Sequence, residues 1–178
     1  MKRYNRFAQF AWGFSILVFF VVLFLAYYYW PQVVDVKLNK EVYHVSDIYI
    51  PKGDLFYYIL GFFAFTNLIF SLLSNALFNL PKALLKVPNA DFWLKDIESI
   101  RAVRYILRSW TTSFNALLNF LITGFTGTLL VVNFQDQFQG SKNFDWFLPL
   151  SFVLILLFMI YIITRFNKKK YSVDQSNY

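Results

Sequence analysis

Four long stretches of the chain carry no charged residue and no histidine, and polar loops separate them. These stretches cover residues 7–34, 55–81, 109–135 and 146–164. A helix needs about 20 apolar residues to cross the roughly 30 Å apolar core of a bilayer, and each stretch is near or above that length. The pattern predicts an all-α integral membrane protein, a single domain with four transmembrane helices at about residues 10–30, 55–80, 109–134 and 146–166.

The loops between these helices predict two smaller elements. In the first outer loop, residues 32–54, Val34 and Val36 alternate with Asp35 and a β-rich segment follows a turn, so we expect a small β-hairpin. In the loop at residues 81–108, apolar residues recur at helical spacing, which predicts an amphipathic helix capped by Asn89 or Asp91. That helix either lies at the membrane interface or extends the third span. We expect the tail at residues 167–178 to be disordered.

The positions of the basic residues predict the orientation in the membrane. Of the 17 Lys and Arg residues, all but four precede the first span, follow the fourth, or lie between the second and third. Because cytoplasmic loops carry an excess of Lys and Arg, we expect both termini and the loop at residues 81–108 in the cytoplasm, and the hairpin outside. The net charge of +7 then reflects topology and attraction to anionic lipid, and it does not indicate nucleic acid binding.

Composition agrees with an integral membrane protein, and we expect a bacterial cytoplasmic (inner) membrane. The chain is 58% hydrophobic with 23 Phe, and its mean hydropathy is +0.46. With no cysteine, disulfides and thiolate metal sites are excluded. No Asp, Glu, Lys, Arg or His lies at membrane depth in the four spans, so an ion-coupled carrier is not expected. The motifs HExxH, GxSxG and the P-loop are also absent, so we predict no catalytic residue, no metal and no cofactor.

Polar residues of the second and third spans recur at intervals of three and four residues. They are Asn67, Ser71, Ser74, Asn75 and Asn79 in the second span, and Thr112, Asn115, Asn119, Thr123 and Thr126 in the third. This spacing predicts one polar face on each helix, and we expect the two faces to meet. The candidate site residues are Asn67, Ser71, Asn75, Asn115, Asn119 and Thr123. They either hold the helices together, which we favour, or line a path or pocket for a polar solute or lipid headgroup.

The loop at residues 81–108 holds a second set of candidates. Trp93, Arg101, Arg104 and Arg108 could dock a cytoplasmic partner, although topology and lipid contact explain the arginines without one, and interfacial anchoring explains Trp93. The single histidine, His44, lies in the outer loop near Asp47. It could sense pH or bind a metal, but a lone loop histidine is more often an ordinary surface residue.

One short segment resembles a known family. The run Val87-Pro88-Asn89-Ala90-Asp91-Phe92-Trp93-Leu94 precedes a charged helix that leads into the third span. It resembles the Pro-Asn-x-x-(Tyr/Phe)-Trp loop of small bacterial membrane proteins related to the integral membrane part of SdpI-type immunity proteins. The resemblance implies a four-span membrane protein without an assigned reaction.

These observations lead to two functional hypotheses. The first is a non-enzymatic accessory or assembly subunit, or an immunity-like protein, that acts through helix contacts with another membrane protein or with itself. The alternative is a small oligomeric channel or carrier that uses the polar faces of the second and third spans. The first is favoured because the spans offer ample packing surface and no coupling group.

Overall fold

The computed structural model describes residues 2–36, 48–134, 144 and 146–166, with side chains from residue 6 onward. The elements in chain order are α1 (Lys2–Tyr29), β1 (Val33–Asp35), β2 (Tyr49–Pro51), α2 (Lys52–Asn79), a 3-10 turn (Lys82–Leu84), α3 (Ala90–Trp93), α4 (Ile97–Phe134) and α5 (Phe147–Arg165). Helices α1, α2, α4 and α5 are long and apolar enough to cross a membrane. The predicted all-α fold with four transmembrane helices and a small β-hairpin is confirmed.

The amphipathic segment before the third span is a continuation of that span. Helix α4 runs without interruption from Ile97, so of the two alternatives the extension is correct. The predicted cap was wrong, because Asn89 adopts a left-handed conformation with φ 56° and the helix after it lasts only one turn. Asp96 caps α4 instead, since its Oδ1 accepts the backbone N–H of Ser99 at 2.7 Å. This hydrogen bond lowers the pKa of the Asp96 carboxyl.

Helix α4 is the centre of the bundle, and α1 and α2 both pack on it. The buried face of α1 contains Ala8, Ser15, Phe19, Leu23 and Ala26, and Trp30, just after the helix, is buried as well. Near the hairpin, a hydrophobic cluster joins the three helices through Phe19, Leu23, Ile59, Phe63 and Leu129. The rings of Phe19 and Phe63 stack with their centroids 3.6 Å apart. We call this end of the bundle the hairpin end, and the opposite end, near residues 80–96, the loop end.

Helix α5 lies at the edge of the bundle. It has no buried residue, and its partly buried positions form one stripe against α4. Gly124 lets the two helices approach closely, because a Cβ at that position would lie 2.9 Å from the Phe147 ring. The remaining surface of α5 is apolar and exposed, as expected for a helix in contact with lipid.

The β-hairpin is held on the end of α4 by hydrogen bonds from one side chain and by the packing of Val34, which is fully buried in the cluster that contains Leu129. Strands β1 and β2 pair antiparallel, with Val34 opposite Ile50. The Asn133 amide bonds the backbone of β1 at two points, accepting the Asp35 N–H at 2.8 Å and donating to the Asp35 carbonyl at 2.8 Å. The predicted turn at residues 39–41, His44 and the tail at residues 167–178 lie outside the described residues.

We predict that Asn133→Leu loosens the backbone of β1 at Asp35 without unfolding the bundle. Hydrogen exchange at the Asp35 amide should accelerate roughly three- to tenfold, the size expected for one or two net hydrogen bonds. Mass-spectrometric exchange in detergent measures this rate. Asn79→Leu is the control, because the Asn79 amide is exposed and bonds only within α2. Equal exchange rates at Asp35 in the two variants would contradict the role of Asn133.

Candidate functional site

The polar faces of α2 and α4 meet near the middle of both helices. The Asn67 amide on α2 and the Asn119 amide on α4 form a reciprocal pair, with N–H to oxygen distances of 2.9 Å and 3.2 Å between the heavy atoms. Asn115, one turn from Asn119, donates to Asn67 Oδ1 at 3.2 Å. We call Asn67, Asn115 and Asn119 the asparagine cluster. Three of the predicted site residues are therefore in direct contact.

Helix α1 also bonds to the asparagine cluster. Trp12 Nε1 donates to Asn67 Oδ1 at 2.9 Å. Asn119 Nδ2 donates to Ser15 Oγ at 3.0 Å, and the Ser15 hydroxyl in turn donates to the Trp12 carbonyl at 2.7 Å. All three core helices thus meet at one polar centre, where each interhelical hydrogen bond contributes on the order of 0.6–2 kcal/mol in lipid.

The sequence analysis did not identify the two α1 residues of this centre. In the first half of the span at residues 10–30, Trp12 and Ser15 are the side chains that can form hydrogen bonds. They lie three residues apart. Their spacing puts them on one side of α1, which was the available signal. Which helix they contact depends on how the spans pack, and the spacing alone does not determine it.

The polar lining does not continue from the asparagine cluster to the hairpin end. The Thr123 hydroxyl bonds to the Asn119 carbonyl of its own helix at 2.7 Å, and Thr126 bonds to the Ile122 carbonyl at 2.9 Å. On the α2 side, the next buried residue toward the hairpin is Phe63, which stacks on Phe19. Between the cluster and the hairpin the three helices are therefore joined by apolar contacts.

Toward the loop end, the polar faces open into a cavity of about 140 Å³. It is lined by Gln9 and Trp12 from α1, by Phe70, Ser71, Ser74 and Asn75 from α2, and by Arg108, Thr112 and Asn115 from α4. The hydroxyls of Ser74 and Thr112 lie 3.4 Å apart across it. In the described part of the chain, the side chains of Ser71 and Asn75 have no hydrogen-bond partner. The predicted residues Ser71 and Asn75 thus line a cavity, apart from the asparagine cluster.

Asn115 belongs to both the cluster and the cavity. It is only 2% exposed, and its Nδ2 is bonded to Asn67. Its Oδ1 is buried and has no hydrogen-bond partner among the described residues. A buried amide oxygen left without a donor is costly, because it has given up water and gained nothing in return.

The three arginine candidates occupy three different environments. Arg101 is exposed. Arg104 reaches back to α2, where its Nη2 donates to the Leu80 carbonyl at 2.6 Å and so binds a free carbonyl at the end of that helix. Arg108 is half-buried at the cavity, with its guanidinium 5.4 Å from the centre of the Phe78 ring. Of the three, only Arg101 is an exposed surface cation, so the three arginines do not form one continuous surface.

Trp93 is buried, at 2% exposure, and the expectation that it anchors at the membrane interface or docks a partner was wrong. Its Nε1 donates to the Phe166 carbonyl at 3.0 Å, and the Asn89 amide donates to the same oxygen at 3.1 Å. The Trp93 ring also contacts the Phe166 ring edge to face. We call Asn89, Trp93 and Phe166 the carbonyl clamp. The Pro-Asn-x-x-Phe-Trp segment therefore attaches the loop to the end of α5.

No group of three or more metal-ligating side chains occurs in the residues that the structure describes. In the comparisons with known proteins, no family model, no curated protein and no solved structure matches the chain.

We predict that Asn67→Leu destabilises the bundle by about 1–3 kcal/mol. The substitution leaves Trp12 Nε1 and the amides of Asn115 and Asn119 without their acceptor in an apolar environment. Unfolding by sodium dodecyl sulfate titration from a mild detergent measures the change. Thr66→Val is the matched control, because the Thr66 hydroxyl bonds only to the Phe62 carbonyl of its own helix. If both variants unfold at the same point, the cluster does not hold the helices together.

Proposed function

We propose that this chain is a non-enzymatic integral membrane protein that acts through helix contacts within the bilayer. In this proposal it is an accessory or assembly subunit, or an immunity-like protein, and its partner is another membrane protein or a second copy. The observation that carries the proposal is the asparagine cluster. The amides that would otherwise equip a solute path are bonded to one another and to α1, which favours their role in packing.

The proposal includes a bacterial cytoplasmic membrane, with both termini and the loop at residues 81–108 in the cytoplasm. Two contacts at the loop end support a common side for these segments, the carbonyl clamp to Phe166 and the Arg104 bond to Leu80. Basic residues accumulate at this end, including Lys82, Lys86, Lys95, Arg101 and Arg104. The positive-inside rule then favours the cytoplasm for the loop end.

We expect a protein contact to involve one part of the bundle surface and not all of it. A photoreactive residue is placed singly at exposed positions on three helices, Leu17 of α1, Leu68 of α2 and Leu157 of α5. Protein adducts should form in cells at one of these helices and be weak at the others, because a partner covers a single face. Leu129, which is fully buried, is the control and should give only links within the chain. Lipid adducts alone at all three exposed positions would contradict the proposal.

The alternative of an oligomeric channel or carrier is supported by one observation, the cavity that Ser71 and Asn75 line at the loop end. The apolar contacts of Phe19 and Phe63 close the protomer beyond it, so a path through one protomer requires those rings to separate. A path between protomers does not require the Phe19 and Phe63 rings to separate.

Liposome flux of small polar solutes separates the two functions. Under our proposal, flux through liposomes containing the wild-type protein should equal the flux through empty liposomes, and Ser71→Leu with Asn75→Leu should change nothing. These two side chains make no hydrogen bond within the described chain, so the double variant should remain folded. Flux that the wild type supports and the double variant loses would instead favour the channel or carrier.

A further inference from the structure

The cavity at the loop end combines features that the helix-contact proposal does not use. It holds a half-buried cation, Arg108, and the polar side chains Ser71 and Asn75, which have no partner in the described chain. It is also lined by Asn115, whose Oδ1 is closed to solvent and has no donor among the described residues. Arg108 can form an ion pair with an anionic ligand, and the polar side chains can form hydrogen bonds with it.

Arg108 requires an anion. It is the last charged residue before the charge-free stretch of α4, and no carboxylate of the described residues forms an ion pair with it. Its guanidinium is held over the Phe78 ring, which fixes its position beside the cavity. Arginine binds phosphate with several parallel N–H bonds, and basic pockets between transmembrane helices bind phospholipid headgroups.

Asn115 requires a hydrogen-bond donor. It lies two turns beyond Arg108, about 10 Å farther along the helix at 1.5 Å per residue. A group that extends from an anion at Arg108 toward Asn115 can therefore bond to this polar lining through a hydroxyl or an ammonium held at some distance from its charge. Ser71 and Asn75, on the facing side of the cavity, offer further polar contacts along the way.

The size and position of the cavity favour a lipid headgroup. Its volume of about 140 Å³ has room for several water molecules, and therefore for a small headgroup. On α2, the neighbouring residues Leu72 and Leu73 are exposed and apolar. A bound lipid would keep its acyl chains against such surfaces while its headgroup enters the cavity.

We propose that this cavity binds the headgroup of an anionic glycerophospholipid, with the phosphate at Arg108 and the headgroup hydroxyls among the polar side chains of Ser71, Asn75 and Asn115. Phosphatidylglycerol has this chemistry, a phosphodiester with a hydroxyl-bearing glycerol. The site does not depend on which partner the helices contact. It adds one specific site for an anionic headgroup to the general attraction between the net positive charge and anionic lipid.

The test is native mass spectrometry of the full chain released from nanodiscs that contain equal amounts of phosphatidylglycerol and phosphatidylcholine. The wild type should retain one phosphatidylglycerol molecule. Arg108→Gln should weaken retention about tenfold or more, because it removes the charge-assisted bonds to phosphate. Arg101→Gln is the matched control, since it removes the same charge from an exposed position of the same helix. It should retain the lipid like the wild type.

If Arg108→Gln lowers the midpoint of thermal unfolding, its loss of lipid could result from lower stability. A second variant then tests the site. Ser71→Ala with Asn75→Ala removes cavity contacts that make no bond within the described chain, and it should weaken retention several-fold with the midpoint unchanged. Equal loss in the Arg101 and Arg108 variants would overturn the site in favour of general surface attraction. Folded wild type without bound lipid would overturn it as well, leaving a water-filled cavity.

A lipid headgroup and a soluble phosphate ester could make the same contacts in the cavity, and glycerol phosphate distinguishes between them. Added at millimolar concentration, it should fail to displace phosphatidylglycerol from the wild type, because it lacks the acyl chains that contact the apolar surface. If it displaces the lipid and is itself retained, the assignment to lipid is wrong and the cavity binds a soluble phosphate ester.

Discussion

The hydrogen bonds of the Asn67 side chain are the interaction on which the bundle depends. In a bilayer, amides have no water to bond, and the transfer of apolar surface between helices contributes little because lipid is equally apolar. Asn67 Oδ1 accepts N–H donors from α1 and from two positions of α4, so a single oxygen determines how three helices meet. With the helices aligned by these hydrogen bonds, the aromatic and aliphatic side chains toward the hairpin are also in contact, as in the stack of Phe19 on Phe63.

The two ends of the bundle differ because the polar residues are placed unevenly along it. Beyond the asparagine cluster toward the hairpin, threonine hydroxyls bond back to their own helix and leave the interface apolar. Toward the loop end, serine and asparagine side chains of α2 remain beside a cavity, and Arg108 stands at its margin. One end therefore resists opening, whereas the other carries unsatisfied polar groups that a small polar ligand can bond.

The sequence was sufficient to predict features that depend on local pattern. The four spans follow from charge-free length, and the meeting of the polar faces of α2 and α4 follows from spacing of three and four residues. Contacts between distant segments were not predictable in this way. The left-handed turn at Asn89 and the bond from Arg104 to Leu80 exist only because α5 and α2 end nearby. Trp93 looked like an interfacial residue because nothing local indicates that the Phe166 carbonyl will cover it.

The carbonyl clamp determines when, during synthesis, the segment between α2 and α4 can reach its final conformation. Helix α5 is synthesised after α1, α2 and α4, and it contributes no buried side chain to the core that they form. All residues of that core have been synthesised before the ribosome reaches residue 147. The carbonyl that accepts the hydrogen bonds of Asn89 and Trp93 belongs to Phe166, which is synthesised later. The segment between α2 and α4 thus acquires its final conformation only after α5 has been synthesised and has entered the membrane.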